Sequence, residues 1–268
     1  MDDAPPKRAA SRTALAVALA RAAHHAFDEP AILADPLAER LLGDGALEPF
    51  RSEPALLDDP DFRYLRTHVA HRSRYAEERF AAAFARGVRQ HVVLGAGLDT
   101  FAFRQPAWAH EARFFEADHP TSQADKFARL ARGGVPVPPN VTFAPIDFEE
   151  TPLAEGLAEA GFDRTRTAFF SWLGVTMYLR LEAVDAVFAY VASLPPQSEI
   201  AFTFARPQTP ENASALAERA RAAGEPWLTG FEPEEIEARL RGFGFREVDF
   251  LRANLGLGHR VSIAHAIV

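Results

Sequence analysis

The stretch HVVLGAGLDT, residues 91–100, is the part of the sequence that decides the expected fold. It begins with a short apolar run and ends in Gly95 and Gly97, where the lack of a Cβ lets the backbone approach a ligand closely. An apolar run that stops at glycines is typical of a buried strand followed by a tight turn into a helix. Such a turn also occurs without any ligand, so the rest of the chain decides its meaning.

Four more apolar runs follow and predict further strands, over residues 112–118, 141–148, 167–175 and 199–205. Apolar residues at helical spacing lie between them, most clearly over residues 181–194. This alternation predicts an α/β fold with a mostly parallel, doubly wound sheet and helices on both faces. Two final runs, residues 246–252 and 259–268, leave no room for a helix and predict an antiparallel hairpin at the end of a seven-stranded sheet.

The N-terminal third is expected to be helical. Ser11 or Thr13 is placed to cap a first helix, the pair Asp35-Pro36 to begin another, and residues 72–86 repeat apolar side chains at helical spacing. We expect one domain over residues 1–268, without a linker that would divide it. Its parts are a mobile tail over 1–10, a helical cap over 11–88 and a core over 89–268 with a substrate-side insertion near 206–231.

Composition narrows the classes of function. A formal net charge of -8 and the lack of a long Lys/Arg cluster disfavour nucleic acid as a partner. The absence of cysteine excludes disulfides, thiolate catalysis and a sulfur-ligated metal, and we expect no metal site. The Ala-rich start is broken by Arg21, His24 and His25, which makes a poor signal peptide and no membrane span. We expect a soluble, cytoplasmic protein with a small-molecule partner, and a homodimer is compatible with the sequence.

Acidic residues stand where the predicted strands end, which is where parallel sheets bind ligands. Asp118 follows Gly97 by about twenty positions, the spacing at which a carboxylate binds the hydroxyl groups of a ribose. Glu116 lies two positions earlier on the same strand face and is our second candidate. Asp118 is alternatively a solvated carboxylate or a helix cap, because His119-Pro120 begins a turn.

The third strand ends in Asp147-Phe148, which suits the adenine end of a nucleoside. The carboxylate of Asp147 is able to accept a hydrogen bond from the exocyclic amine, and the Phe148 ring to line the pocket. Asp147 is alternatively a helix cap, a common role for aspartate.

Thr100 stands where a dinucleotide fingerprint has its third glycine, which counts against a pyrophosphate ligand. S-adenosylmethionine (SAM) carries an adenosyl group without phosphate and therefore fits the pattern better. An NAD(P)-dependent oxidoreductase is one alternative, although we find no Tyr-Lys or similar hydride-transfer pair. A noncatalytic SAM-binding protein is another alternative, from a different class.

Five segments together resemble the motifs of the leucine carboxyl methyltransferase family of class I SAM-dependent methyltransferases, in order and at similar spacing. They are HRSRYAEE (71–78), QHVVLGAGLDTFAFR (90–104), FFEADHP (114–120), PIDFEE (145–150) and FFSWLGVTMYL (169–179). The resemblance covers residues 11–205 and implies a Rossmann-like methyltransferase fold with SAM as the methyl donor. The form of the last motif resembles the bacterial small-molecule branch, so a polyketide-like metabolite is the implied kind of acceptor.

The resemblance also implies roles for individual residues. Arg72 would hold the SAM carboxylate through charge-assisted hydrogen bonds, with Arg74 as the rival arginine. The turn of Gly95, Ala96 and Gly97 would lie beneath the methionine part, Asp118 would bind the ribose, and Asp147 with Phe148 the adenine.

Two positions depart from the family pattern. Phe101 stands where many members have an arginine, and Leu173 stands near the donor where many have a glutamate. The second difference removes a polar contact and argues against a strict phosphatase methyltransferase. Both differences motivate the noncatalytic alternative.

No catalytic residue follows directly from the sequence. A carboxylate acceptor needs no base, whereas a hydroxyl acceptor does. Tyr178 and His119 are the first candidates for that role, with His24 and His25 behind them, and each has an ordinary packing or surface role as its alternative. Phe62, Tyr64 and Trp227 suggest an aromatic acceptor pocket or, equally, ordinary packing.

Overall fold

The computed structural model describes residues 11–209, 214–251 and 261–268. Seven strands form one sheet: β1 (Gln90–Leu94), β2 (Arg113–Asp118), β3 (Val141–Pro145), β4 (Phe169–Trp172), β5 (Glu199–Ala205), β6 (Glu247–Phe250) and β7 (Val261–Ile267). Their order across the sheet is β3-β2-β1-β4-β5-β7-β6. The first five strands pair in parallel, and β7 runs antiparallel between β5 and β6. The predicted seven-stranded, mostly parallel sheet with a C-terminal hairpin is confirmed.

Nine helices surround the sheet in the described residues: α1 (Arg12–Phe27), α2 (Leu37–Leu42), α3 (Glu48–Ser52), α4 (Pro60–Ala85), α5 (Pro120–Arg132), α6 (Leu153–Glu159), α7 (Leu181–Ala192), α8 (Ala215–Ala222) and α9 (Pro233–Phe243). The first four precede β1 and form the predicted helical cap. The Ser11 side chain caps α1 by accepting a hydrogen bond from the Ala14 amide. Asp35 accepts one from the Ala38 amide at the start of α2, as the Asp35-Pro36 signal predicts.

Helix α4 is longer than the sequence predicts. We expected a helix over residues 72–86, but α4 begins at Pro60, where Asp59 caps it by accepting from the Phe62 amide. Its first half buries polar side chains, including Arg66 and His68, so the apolar periodicity is weak there. The prediction was therefore wrong about the start, and the error matters because this half of α4 faces the candidate site.

The two faces of the sheet carry separate aromatic layers. Neighbouring strand residues point to opposite sides, so Phe114 and Phe169 pack against Phe80 of α4, whereas Phe115 and Phe170 pack on the side of α6 and α7. All five rings are fully buried. Dense packing on both faces fixes the strand ends, and with them the residues that follow each strand.

Several sequence predictions concern the edges of this fold. The predicted tail over residues 1–10 lies outside the described residues, as do residues 210–213 of the predicted insertion near 206–231. The apolar runs of the sequence extend beyond the ends of the strands. The first run, for example, continues past β1, which ends at Leu94, into a turn that contains Gly95 and Gly97. Within the described part of the chain, no helix is both long and apolar enough to cross a membrane.

Candidate functional site

A cavity of about 700 Å³ lies at the carboxyl ends of β1 to β4. The strand order reverses between β1 and β4, which is the place where open α/β sheets bind ligands. The turns after the four strands form the floor, and α1, the first half of α4 and residues 216–228 form the walls. The predicted residues that line the cavity are Arg72, Gly95, Ala96, Gly97, Asp118, His119, Asp147, Phe148, Leu173 and Tyr178.

The turn after β1 needs its glycines. Gly95 has a φ of +63° and Gly97 a φ of +45°, the left-handed region that favours glycine. A Cβ on residue 95 would overlap the Val175 side chain. The Gly95 amide donates to the Ala117 carbonyl at 2.7 Å, which fixes the turn against the end of β2. The backbone therefore comes close to the cavity along the whole turn.

Asp118 holds this turn from the neighbouring strand. Its Oδ2 accepts a hydrogen bond from the Gly97 amide at 2.5 Å, and its Oδ1 accepts from the His119 amide at 2.7 Å. Burial raises the pKa of Asp118, and the two amide hydrogen bonds oppose that shift. The carboxylate thus faces the cavity in a fixed orientation, with lone pairs left for hydroxyl groups of a ligand.

Glu116 does not line the cavity. Its side chain is completely buried, with Oε2 2.6 Å from Nζ of Lys126 on α5, and burial raises its pKa to about 7. Glu116 and Asp118 lie on the same face of β2. Asp118, at the end of the strand, reaches the cavity, whereas Glu116 lies two residues earlier, between β2 and α5. We therefore withdraw Glu116 as a donor contact, because its carboxylate already has a buried partner.

Arg72 is a buried cation without a partner. Its residue is 9% exposed, its Nε has no acceptor, and none of the described residues forms a hydrogen bond or ion pair with its guanidinium. Burial lowers the pKa of Arg72 to about 10, so the group is still charged near neutral pH. An unpaired buried charge is unfavourable. The site is therefore suited to an anionic ligand, such as the carboxylate that the family resemblance assigns to Arg72.

Arg74, the rival arginine, has a different environment. Its side chain is exposed, and its Nε donates to Oε1 of Glu78 at 2.7 Å, one turn further along α4. It does not line the cavity. Of the two arginines, Arg72 is the one that lines the cavity.

The turn after β4 is shaped around Arg72. Gly174 has a φ of +78°, and a Cβ there would lie 2.5 Å from Nη1 of Arg72. The Gly174 amide donates to Oγ1 of Thr203 at 2.7 Å, which holds the turn in place. Leu173, the predicted departure from the family pattern, gives the cavity an apolar wall beside this turn.

Asp147 and Phe148 line the cavity directly after β3. Oδ1 of Asp147 accepts from the Glu149 amide at 3.0 Å, so Asp147 stabilises its own turn. It does not cap the next helix, since α6 begins only at Leu153. His119 lies close by, with Nε2 3.5 Å from Oδ2 of Asp147. Its Nδ1 accepts from the Thr121 amide at 3.1 Å and caps α5, so both ring nitrogens are engaged.

The other candidates divide between cavity and core. Tyr178 lines the cavity, and burial raises its pKa, while contacts with the side chains of Trp227 and Thr13 act in the opposite direction. Phe62 and Trp227 also line it, but Tyr64 does not. His24 and His25 lie outside the lining. His24 contacts Asp28 and accepts from the Ile32 amide.

Sequence reasoning missed two residues of this site. Arg21 of α1 is buried, bridges Asp35 at 2.9 Å and donates to the Leu98 carbonyl, so it fastens α1 over the turn after β1. His68 of α4 lines the cavity four residues before Arg72. The available signal for Arg21 was a charged residue in an alanine-rich stretch. The signal for His68 was its spacing of four residues from Arg72. Neither one shows which way a helix faces before the tertiary structure is known.

Known proteins resemble this chain in sequence and in fold. The family model that describes leucine carboxyl methyltransferases matches residues 14–192. A Bacillus subtilis (strain 168) protein named "Putative S-adenosyl-L-methionine-dependent methyltransferase YktD" is 32% identical over 266 residues, covering 89% of this chain and 87% of its own. A Mycobacterium avium (strain 104) protein with the same name apart from YktD is 36% identical over 202 residues, covering 70% of this chain and 63% of its own.

A solved structure shares the fold. The crystal structure of a DUF574 family protein from Streptomyces avermitilis superposes with a TM-score of 0.57 over 93% of this chain and 96% of that one, at 17% identity. At this identity the likeness concerns the fold alone. It covers the helical cap as well as the sheet.

Proposed function

The chain belongs to the leucine carboxyl methyltransferase family and uses SAM as its cofactor, and from this premise we propose that it methylates an oxygen atom of a small molecule. The main support for the position of the site is that Arg72 is a buried cation without a partner among the described residues. When bound, SAM supplies an electrophilic methyl group on a sulfonium. The residues of the cavity then have to hold, orient and shield the reacting atoms.

Each part of the donor has a suitable place along the floor. Arg72 would bind the methionine carboxylate, the turn of Gly95 to Gly97 would lie beneath the methionine chain, and Asp118 would accept from the ribose. Asp147 and Phe148 would hold the adenine. A charge-assisted hydrogen bond such as that of Arg72 contributes roughly 1.5–3 kcal/mol.

Methyl transfer depends mainly on alignment of the acceptor oxygen, the methyl carbon and the sulfur. Holding reactants in such a geometry lowers a barrier by on the order of 7–11 kcal/mol in favourable cases. The walls support this role, because the Thr13 amide of α1 donates to Oε2 of Glu225 at 3.1 Å and so joins two sides of the cavity.

The shape of the cavity favours a small acceptor. Its volume of about 700 Å³ lies within the range of small-molecule sites, and Leu65, Leu173 and Trp227 give it apolar walls. A donor and a compact metabolite share such a space more readily than a donor and a folded protein. A polyketide-like carboxylate or hydroxyl compound therefore fits the proposal.

The two alternatives from the sequence lose support in the structure. Thr100, at the third glycine position of a dinucleotide fingerprint, is buried and donates to Oδ2 of Asp35 at 2.7 Å, so this position does not open toward a pyrophosphate. This argues against an NAD(P)-dependent oxidoreductase. Phe101 packs in an aromatic cluster and Leu173 lines a wall. Both departures from the family pattern leave Arg72 in place, which weakens the case for a noncatalytic protein.

Labelled donor tests the proposal directly. The purified protein is incubated with methyl-labelled SAM and a panel of phenols, alcohols, carboxylic acids, amines and carbon nucleophiles, and the products are analysed by mass spectrometry. We expect label on an oxygen atom of at least one compound, and binding of SAM but not NADPH by calorimetry. Label on nitrogen or carbon acceptors alone, or tight binding of NADPH, would contradict the proposal.

Two further points belong to the proposal and rest on the sequence alone. They are a cytoplasmic location and no nucleic-acid partner. A homodimer is compatible with the sequence but does not follow from it, and light scattering during size-exclusion chromatography measures the oligomeric state.

A further inference from the structure

One face of α4 runs along the cavity. Phe62, Leu65, His68 and Arg72 line it at spacings of three and four residues, which places them on the same side of the helix. His68 lies one turn, about 6 Å along the axis, from Arg72. Since Arg72 marks the donor end, the face continues through His68 to the apolar Leu65 and Phe62. His68 is thus the polar group between the donor and the apolar part of the cavity.

The imidazole of His68 is buried, with the residue 3% exposed, and its Nε2 has no hydrogen-bond partner among the described residues. Its ring stacks in parallel on Tyr64, with centroids 5.7 Å apart. Burial, with a smaller effect of the Arg72 charge, lowers the pKa of His68 to about 3. At neutral pH the ring is uncharged, so one of its two nitrogens carries a lone pair, and the low pKa makes it a weaker base than free imidazole.

The other basic groups of the cavity are already engaged. Among the described residues that line it, every other imidazole and carboxylate has a hydrogen bond or ion pair in the structure. These are Asp99 with the Phe101 amide, Asp118 with the Gly97 amide, His119 with the Thr121 amide, Asp147 with the Glu149 amide, Glu149 with Arg180, and Glu225 with the Thr13 amide. Tyr178 is held protonated at neutral pH, since burial raises its pKa. Among the imidazoles and carboxylates of the described lining residues, His68 alone has no hydrogen bond or ion pair in the structure.

We propose that His68 is the general base of the reaction and that the acceptor is a hydroxyl compound with an apolar body, such as a phenol. The inference rests on the proposed function and narrows its acceptor class. The acceptor oxygen forms a bond to the methyl carbon, and the carbon–sulfur bond breaks with its electron pair remaining on sulfur. The hydroxyl proton moves to the lone pair of the His68 imidazole and passes to water after product release. A carboxylate acceptor has no proton to give and would leave His68 without this role.

The test compares phenols that differ in ionisation. His68→Ala, His68→Gln and the wild type are assayed with SAM and either phenol or 4-nitrophenol, at a pH where only the nitrophenol is ionised. His71→Ala, on the same helix but outside the cavity lining, is the matched control. With phenol, we expect kcat to fall by about 10²–10⁴ in both His68 variants, the usual contribution of general base catalysis. With 4-nitrophenol the fall is small, because the proton has already left.

Chemical rescue separates a proton acceptor from a structural residue. Free imidazole added to His68→Ala should restore part of the rate with phenol, and the variant should bind SAM as the wild type does. Glutamine fills the space of histidine but does not accept a proton, so restored activity in His68→Gln would overturn the inference. Equal losses with both phenols, or no transfer to either, would also overturn it. Transfer to benzoic acids alone would refute the role of His68 and leave O-methylation standing, whereas no transfer to any oxygen acceptor would contradict the proposed function as well.

Discussion

The guanidinium of Arg72 lies against the Cα of Gly174, so close that a Cβ on residue 174 would be 2.5 Å from Nη1. The absence of a side chain after β4 thus makes room for a cation from α4. This contact joins the helical cap to the sheet at the point where the donor site is expected.

Gly174→Ala should therefore damage donor binding through Arg72. The new methyl group displaces the guanidinium, and we expect SAM affinity to fall by about tenfold, since that corresponds to roughly 1.4 kcal/mol of lost interaction. Gly87→Ala is the control, because Gly87 also has a positive φ of 107° but has open space around its Cα. Both variants lose stability through backbone strain. Equal SAM affinity in the two variants would show that the Arg72 contact is unimportant.

Arg72→Ala removes the proposed carboxylate ligand itself. We expect SAM affinity to fall by about tenfold or more, in line with the 1.5–3 kcal/mol of a charged hydrogen bond. Arg74→Ala removes an equally charged residue two positions away, whose partner is Glu78 on the surface. Calorimetry should find that the Arg74 variant binds as the wild type does. A loss of the same size in both would point to general electrostatics instead of a specific contact.

Features that depend on local sequence were predictable. The strands, the turn of Gly95 to Gly97 and the carboxylate of Asp118 follow from apolar runs, from glycine and from a spacing set by one strand–helix–strand unit. The structure brings these residues together because the carboxyl ends of neighbouring parallel strands meet at one edge of the sheet. Arg72 was found through the family resemblance, and the structure places it, buried, in the wall of the cavity.

Features that depend on which way a helix faces were not predictable. Glu116 and Asp118 share a strand face, yet only packing of α5 decides that Lys126 takes up the Glu116 carboxylate. The first half of α4 lacks apolar periodicity because it lines a cavity with Arg72 and His68. A helix face that meets a ligand is polar in part, so the hydrophobic pattern that identifies helices fails there.

The Glu116–Lys126 pair should matter for stability and not for donor binding. Lys126→Met leaves the buried Glu116 without its partner, and we expect a loss of about 3–5 kcal/mol in the free energy of unfolding. The double variant Glu116→Leu/Lys126→Met removes both polar groups and should recover most of this loss. Urea denaturation measures the stability, and calorimetry should find normal SAM affinity in the double variant. Weak binding there would return Glu116 to the donor site.

Buried histidines should make the fold sensitive to acid. His91 is 2% exposed, lies within 3.0 Å of the Ser171 hydroxyl, and has its pKa lowered by burial from 6.5 to about 3. Below pH 6.5 the unfolded chain binds a proton that the folded chain does not bind, so stability falls as the pH falls. Between pH 6.5 and pH 5 one such residue accounts for a loss of about 1.5 kcal/mol.

The variant His91→Gln tests whether His91 lowers the stability of the protein as the pH falls. The amide is able to keep a hydrogen bond to Ser171 but does not titrate, so the variant should lose less stability than the wild type over the same pH interval. Urea denaturation at several pH values gives both slopes, whatever the absolute stability of the variant. Parallel slopes would mean that His91 is not among the groups that make the protein acid-sensitive.

We expect the ends of β1, β2 and β3, together with Arg72 of α4, to form the binding site for the methyl donor. A crystal structure of the protein with S-adenosylhomocysteine, the demethylated donor, would show this site. The amino-acid carboxylate should lie on Arg72, the ribose on Asp118 and the adenine beside Asp147 and Phe148. Density for the compound elsewhere, or a bound compound that none of these four residues contacts, would contradict this expectation.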